Sequence, residues 1–194
     1  MNTTAHVAAS LFLGKGKEES AKPTALIAGA ILPDAPMFVF FAVVTAAGHS
    51  SQEIWGELYF QDNWQLFFDI FNSAPLFGVL WAVGRWCSWS WLSWMSLSAL
   101  LHIACDLPLH HDDSHRHFLP LSQFRFASPI SYWDPKHWGI PIAILEASLT
   151  IAGSAYLAAT FKSKLARITA IVILVLYGVA ACMMLAWALS QRDS

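Results

Sequence analysis

Five stretches of the chain, 24–48, 64–84, 86–105, 139–161 and 168–189, are apolar over about the length that a bilayer demands. A helix needs roughly 20 apolar residues to cross a hydrocarbon core of about 30 Å. In that medium every backbone N–H and C=O must find its partner inside the segment. The expected fold is therefore all-α: a polytopic membrane helix bundle of about five spans, preceded by a short helix over residues 2–13. Composition agrees, with charged residues at 12 % of the 194 against roughly 25 % in soluble domains. One integral membrane domain, 1–194, accounts for the length. The formal net charge of −2 says nothing about nucleic acid and no basic patch suggests it; membrane lipid is the expected partner.

The apolar runs are interrupted in informative places. Leu32-Pro33-Asp34-Ala35-Pro36 falls inside the first of them. Two prolines must break the helix there and free backbone groups, which at membrane depth reads as a broken helix delivering Asp34 to a buried site. Asp69 and Asn72-Ser73-Ala74-Pro75 interrupt the second run, and Glu146 is the only charge in 139–161. Asn2-Thr3-Thr4 is good N-cap chemistry for the first helix, whose opening turn holds His6. Trp86, Trp89, Trp91 and Trp94 read as an interfacial belt. Cys87 and Cys105, near opposite ends of one expected helix, lie beyond disulfide reach.

Six of the eight histidines fall between 102 and 137, and the segment from His102 to His117 carries most of the chain's ligand chemistry. His102 and Asp106 are four apart, on one helical face, and Pro108 ends that helix. Beyond it His110 and His111 can fold back to the same point, and Asp112 or Asp113 can act as base or orient a ligand histidine. A histidine-rich loop can be merely solvated, but ionisable side chains closing an apolar segment are costly and usually functional. Imidazole and carboxylate together suit zinc, manganese or iron. The expected ligands of a divalent metal, zinc first, are His6, Asp34, His102, Asp106, His110 and His111.

Charge bias gives the orientation. Loops 14–23, 85 and 162–167 hold seven of the eleven lysines and arginines, which places them in the cytoplasm by the positive-inside rule. The histidine-rich loop, 107–138, is then extracytoplasmic. A loop this long is functional or disordered; its aromatic content predicts order.

With His6, Leu32-Pro33-Asp34 and His102-x-x-x-Asp106 in that order, residues 1–138 resemble the inner-membrane metal-dependent hydrolases of unknown physiological substrate. The His-x-x-x-Asp element is also similar to that of zinc-dependent phospholipase C. Where that hydrolase family has His-Arg-Gly…His-Ser, this chain has Phe71-Asn72-Ser73, so Asn72 replaces a ligand histidine; His110, His111, His115 and His117 are available to compensate. Through Asp106-Leu107-Pro108-Leu109-His110-His111-Asp112-Asp113 and Ser128 to Pro135 the chain more closely resembles small bacterial membrane proteins labelled as cobalamin biosynthesis protein CobQ. Cobyric acid synthase itself needs a nucleotide-binding loop and a cysteine in a glycine-rich turn, and neither occurs here.

The resemblance implies a membrane-embedded metal-dependent hydrolase of a phosphate ester or lipid-linked substrate in a bacterial inner membrane. A non-enzymatic metal-binding scaffold, chaperone or transporter is the alternative, with Asp34, Asp69 and Glu146 marking a pathway. His111-x-x-x-His115-x-His117 leaves a di-iron oxygenase as a third reading.

Overall fold

A computed structural model describes residues 1–17 and 21–190. Residues 18–20 of the first polar loop, the tail at 191–194 with Arg192, and the Cys182 side chain lie outside the description. Every regular element among the described residues is helical. The α-helices are α1 (Thr3–Leu13), α2 (Pro23–Ile31), α3 (Ala35–Ala46), α4 (Ser51–Gly56), α5 (Asp62–Phe71), α6 (Ala74–Trp86), α7 (Ser90–Asp106), α8 (Gly139–Thr160) and α9 (Lys164–Ser190), with 3₁₀ turns at Leu58–Phe60 and Pro135–His137.

Two of these stretches, Asp62–Trp86 and Gly139–Thr160, are long and apolar enough to cross a membrane, and α2 with α3 makes a third if that bent pair is one span. The all-helical expectation holds, with two to three candidate spans. Large apolar side chains stand on the outside, among them Val79, Ile144, Leu149 and Val175. Exposed apolar surface on this scale marks an interaction site or a lipid-facing wall.

The breaks fall where proline and its neighbours put them. α2 stops at Ile31 and α3 starts at Ala35, with a bend of 54° between them. Pro33 has no N–H to offer the carbonyl of Gly29. The Asp34 N–H goes to Ile31 O rather than to Ala30 O. The carbonyl of Ala30 is thereby left without a helical donor. At the second break Asn72 and Ser73 separate α5 from α6, and the long loop is stitched to it. The Ala74 N–H donates to His117 O, and the Ser73 hydroxyl to Leu119 O.

α7 lies at the centre, packed on α2 and α6, while α8 pairs with α9 and α1 with α2. Small residues allow the close approaches: a Cβ on Gly29 would collide with the Met95 carbonyl of α7. Ser98 of α7 donates to the Leu26 carbonyl of α2 at 2.6 Å. Small and hydroxyl residues at helix crossings are the usual device in membrane bundles.

The loop 107–138 contains only one 3₁₀ turn, Pro135–His137, and is held by polar contacts. Its second half folds back on its first: Ser128 Oγ donates to Pro108 O, Ser128 N–H to His110 O, and Tyr132 N–H to Leu109 O. The loop is ordered, as its aromatic content predicts. A buried carboxylate anchors its middle. Asp69 of α5 accepts from Arg116 N–H, Arg116 Nε and Arg125, at 2.9, 2.5 and 3.0 Å.

Candidate metal centre

The ends of five segments meet at Asp106, the last residue of α7. The i,i+4 spacing places His102 Nε2 3.1 Å from Asp106 Oδ2. α1 lies alongside, and His6 Nε2 is 2.9 Å from Asp106 Oδ1. The α2–α3 break brings in Asp34, whose Oδ1 is 3.5 Å from His102 Nε2. After Pro108 the chain turns back, so that His110 Nε2 sits 3.5 Å from Asp106 Oδ2. His6, His102, Asp106 and His110 are all buried. His6, His102 and Asp106 offer ligand atoms within 4.8 Å of one another. Asp34 and His110 stand at the edge of that trio. The Met1 nitrogen also contacts Asp106 Oδ1, at 2.5 Å.

The protonation pattern is more telling than the distances. His102 Nδ1 is 2.7 Å from Ala30 O. A carbonyl only accepts, so Nδ1 carries the proton and the neutral ring presents a bare lone pair at Nε2. His110 Nδ1 lies 2.9 Å from Asp113 Oδ2, with the same consequence. The Nε2 atoms of His6, His102 and His110 face Asp106 at 2.9, 3.1 and 3.5 Å. The rings of His6 and His102 stack with centroids 3.5 Å apart and planes 9° from parallel. Two imidazolium rings in that position would repel. Neutral imidazoles whose far nitrogen donates to a carbonyl or carboxylate are the usual arrangement around a metal ion. The donor set of three imidazoles and two carboxylates fits a divalent ion such as zinc.

The electrostatics favour a cation. Burial alone would lower the pKa of His110, but the carboxylates of Asp106 and Asp113 outweigh it and push the ring up to about 9. With no metal ion, a proton fills the same need.

A cavity of about 220 Å³ opens beside this cluster. Asp34, Asp106, His110, Asp113, His115, Asn72, Tyr59 and Tyr132 are on its wall. Burial raises the phenols of Tyr59 and Tyr132, which stay protonated as neutral donors. Asn72 Nδ2 donates to Pro33 O and Phe68 O, which leaves Oδ1 buried without a partner. Asp113 Oδ2 is taken by His110 and by Trp133 Nε1, while Oδ1 has no partner.

Two expected site residues lie elsewhere. His111 gives Nδ1 to Ser128 O and stacks on His137 at 3.7 Å, off the cavity wall. The order of the loop decides this: Ser128 folds against 108–110 and captures the ring. Asp112 is exposed and does not line the cavity. Asn2 does not cap α1 with its side chain; Nδ2 donates instead to Glu146 of α8 at 2.5 Å. Glu146 also accepts from Tyr177, and Asp69 is occupied by the two arginines. Both acids are thus held by partners on other segments.

Thr3, whose hydroxyl donates to Asp34 Oδ2 at 2.5 Å, and Tyr132 went unpredicted. Ser128-Pro-Ile-Ser-Tyr-Trp-Asp-Pro did carry a signal, since it supplies the contacts that frame His110 and Asp113. His115 Nδ1 sits 3.3 Å from Asp69, and His117 Nδ1 donates to Asn72 O.

A family model described as a domain of unknown function, DUF4184, matches residues 2–60, the segment that holds His6 and Asp34. No curated protein and no solved structure matches the chain.

Proposed function

We propose that the chain is a membrane-embedded metal-dependent hydrolase acting on a phosphate ester or lipid-linked substrate. Its divalent ion, zinc by preference, is held by His6, His102 and Asp106, with Asp34 and His110 completing one or two sites. One observation carries this reading: three buried imidazole Nε2 atoms converge on one buried carboxylate. The Met1 ammonium supplies one positive charge at Oδ1, and a divalent ion in its place would satisfy the carboxylate and the three rings together. Asp106 turns Oδ1 to His6 and Oδ2 to His102 and His110, so both of its oxygens would be available to hold the ion.

When bound, such an ion supplies a nucleophile at neutral pH and a Lewis acid for a phosphoryl oxygen. The protein's own groups do the rest. Ala30 O and Asp113 Oδ2 hold the Nδ1 protons of His102 and His110, which keeps both rings turned toward Asp106. Asp113 Oδ1, unpartnered on the cavity wall, is the base that accepts a proton from the attacking group. Tyr132 supplies a neutral O–H donor to the substrate from the wall beside His110.

The membrane placement extends the same reading. Five spans result if α7 and α9 cross together with the three candidates above. The charge bias of the loops puts 107–138 on the extracytoplasmic side of a bacterial inner membrane. The resemblance to inner-membrane hydrolases and to the CobQ-labelled membrane proteins agrees with it.

The test is metal analysis of detergent-purified protein beside His102→Ala and Asp106→Asn, followed by phosphate-ester hydrolysis. Wild type should retain one or two equivalents, and both variants should lose most of it with expression intact. If Asp106→Asn protein holds wild-type metal, the reading falls.

A further inference from the structure

A second, apolar recess lies between α1 and α8, with a volume of about 530 Å³. Its floor is made of small side chains on α1, with Ala5 and Ala8 buried, and its rims are the exposed Phe12, Leu145 and Leu149. Gly153 of α8 lines it, and a Cβ there would meet open space. The recess is almost wholly hydrocarbon-lined. Glu146, which reaches it, has its carboxylate occupied by Asn2 and Tyr177.

Its position identifies the occupant. Met1 borders both this recess and the cavity at Asp106. The start of α1 is bonded to Glu146, seven residues into α8, and Phe12 packs on Tyr156, so the two helices run side by side away from that cavity. From Ile142 to Gly153 α8 advances eleven residues, about 16 Å at 1.5 Å each. That is roughly half of the ~30 Å hydrocarbon thickness, the depth of one leaflet. The recess thus begins beside a polar, cation-seeking cavity and ends near mid-membrane, on a wall open to lipid. We propose that it holds one acyl chain of a membrane phospholipid whose polar head lies in the Asp106 cavity. The head-group half of this statement rests on the metal reading above; the chain half stands on the recess.

The experiment reads chain occupancy without using activity. Full-length protein is placed in phosphatidylethanolamine and phosphatidylglycerol vesicles that contain a trace of phosphatidylethanolamine with a mid-chain diazirine. After irradiation, adducts are mapped by peptide mass spectrometry. Adducts on Phe12, Leu145 and Leu149 should exceed those on Val79 and Trp81, equally lipid-facing residues of α6, several-fold. Gly153→Trp, which fills the open space, should bring them down to the α6 level with metal content unchanged; Ala152→Trp is the second plug should the first not fold. Gly153→Ala should retain the enrichment. Equal labelling of the recess and α6 in wild type, or enrichment that survives both plugs, overturns the proposal. A second copy of the chain seated in the recess would show as recess labelling no higher than that of α6 in wild type. Enriched labelling in metal-free wild type would sink the metal reading alone, and metal without enrichment would sink the groove alone.

Discussion

Asp113→Ala tests the candidate centre without touching a proposed ligand. Asp113 Oδ2 accepts from His110 Nδ1 at 2.9 Å and from Trp133 Nε1 at 3.0 Å, and its side chain is only 12 % exposed. Little solvent is present to replace it. A hydrogen bond to a charged group contributes about 1.5–3 kcal/mol, and each 1.4 kcal/mol is tenfold in affinity. Removing an outer partner of a ligand histidine costs about 10–100-fold in metal affinity by direct precedent. The two routes agree, and the loss should stay in that range because His6 and His102 are untouched. His102 keeps its own partner, the Ala30 carbonyl, whatever happens at 113. Asp113→Asn, whose amide oxygen can still accept from Nδ1, should recover part of the loss. The assay is competition against a chromophoric zinc chelator in detergent, with the exposed Asp112→Ala as control. Unchanged affinity in Asp113→Ala, or an equal loss in Asp112→Ala, would refute the argument.

The same structure makes other predictions. Burial, with His115 beside it, holds the His117 ring down to about 4, against about 6.5 in an unfolded chain. Between those values only the unfolded ring takes up a proton, so stability should fall by about 1.4 kcal/mol per unit as pH drops from ~6.5 towards ~4. His117→Gln should lose that acid limb; a thermal or denaturant series with the limb intact would contradict it. Asp69→Ala leaves two arginines facing a buried void and should destabilise by about 3–5 kcal/mol, read as early proteolysis within 107–138; a loop as resistant as wild type would count against the anchor. Gly29→Leu should push α2 off α7, at about 1–3 kcal/mol or more, and lower metal content through His102; unchanged metal would show that the crossing does not position the ring. A reporter fused after Ser128 should be active only outside the cytoplasm, and cytoplasmic activity would invert the topology.

Much of the site was legible because its determinants are local. Asp34 follows from prolines on either side of it, and His102 with Asp106 from i,i+4 spacing. His6 has no local signal, since a lone histidine in a first turn means little; only the topology, which puts the start of the first helix on the side of His102 and Asp106, draws it in. The turn after Pro108 could bring either His110 or His111 back to Asp106, and the sequence does not separate them. Ser128, seventeen residues on from His111, holds that ring elsewhere. Asp69 read as an interruption because its partners stand 47 and 56 residues away. The α1 cap failed for the same reason: Glu146 is 144 residues from Asn2 and outcompetes the local helix. What composition and period could not reveal is long-range polar pairing.

The break between α2 and α3 has a consequence for which positions can vary. Because His102 is oriented by a main-chain oxygen, no side chain at 30 carries the instruction, and a small residue there could change with the instruction intact. Pro33 is different. Replacing it with alanine restores an N–H, favours continuation of the helix, and returns the freed carbonyls to their own helix. His102 would then lose its acceptor while remaining in place, and its proton could move to the nitrogen that faces Asp106. A residue that meets no ligand would in this way govern which tautomer a ligand adopts, so a mutational scan should find Ala30 tolerant and Pro33 sensitive.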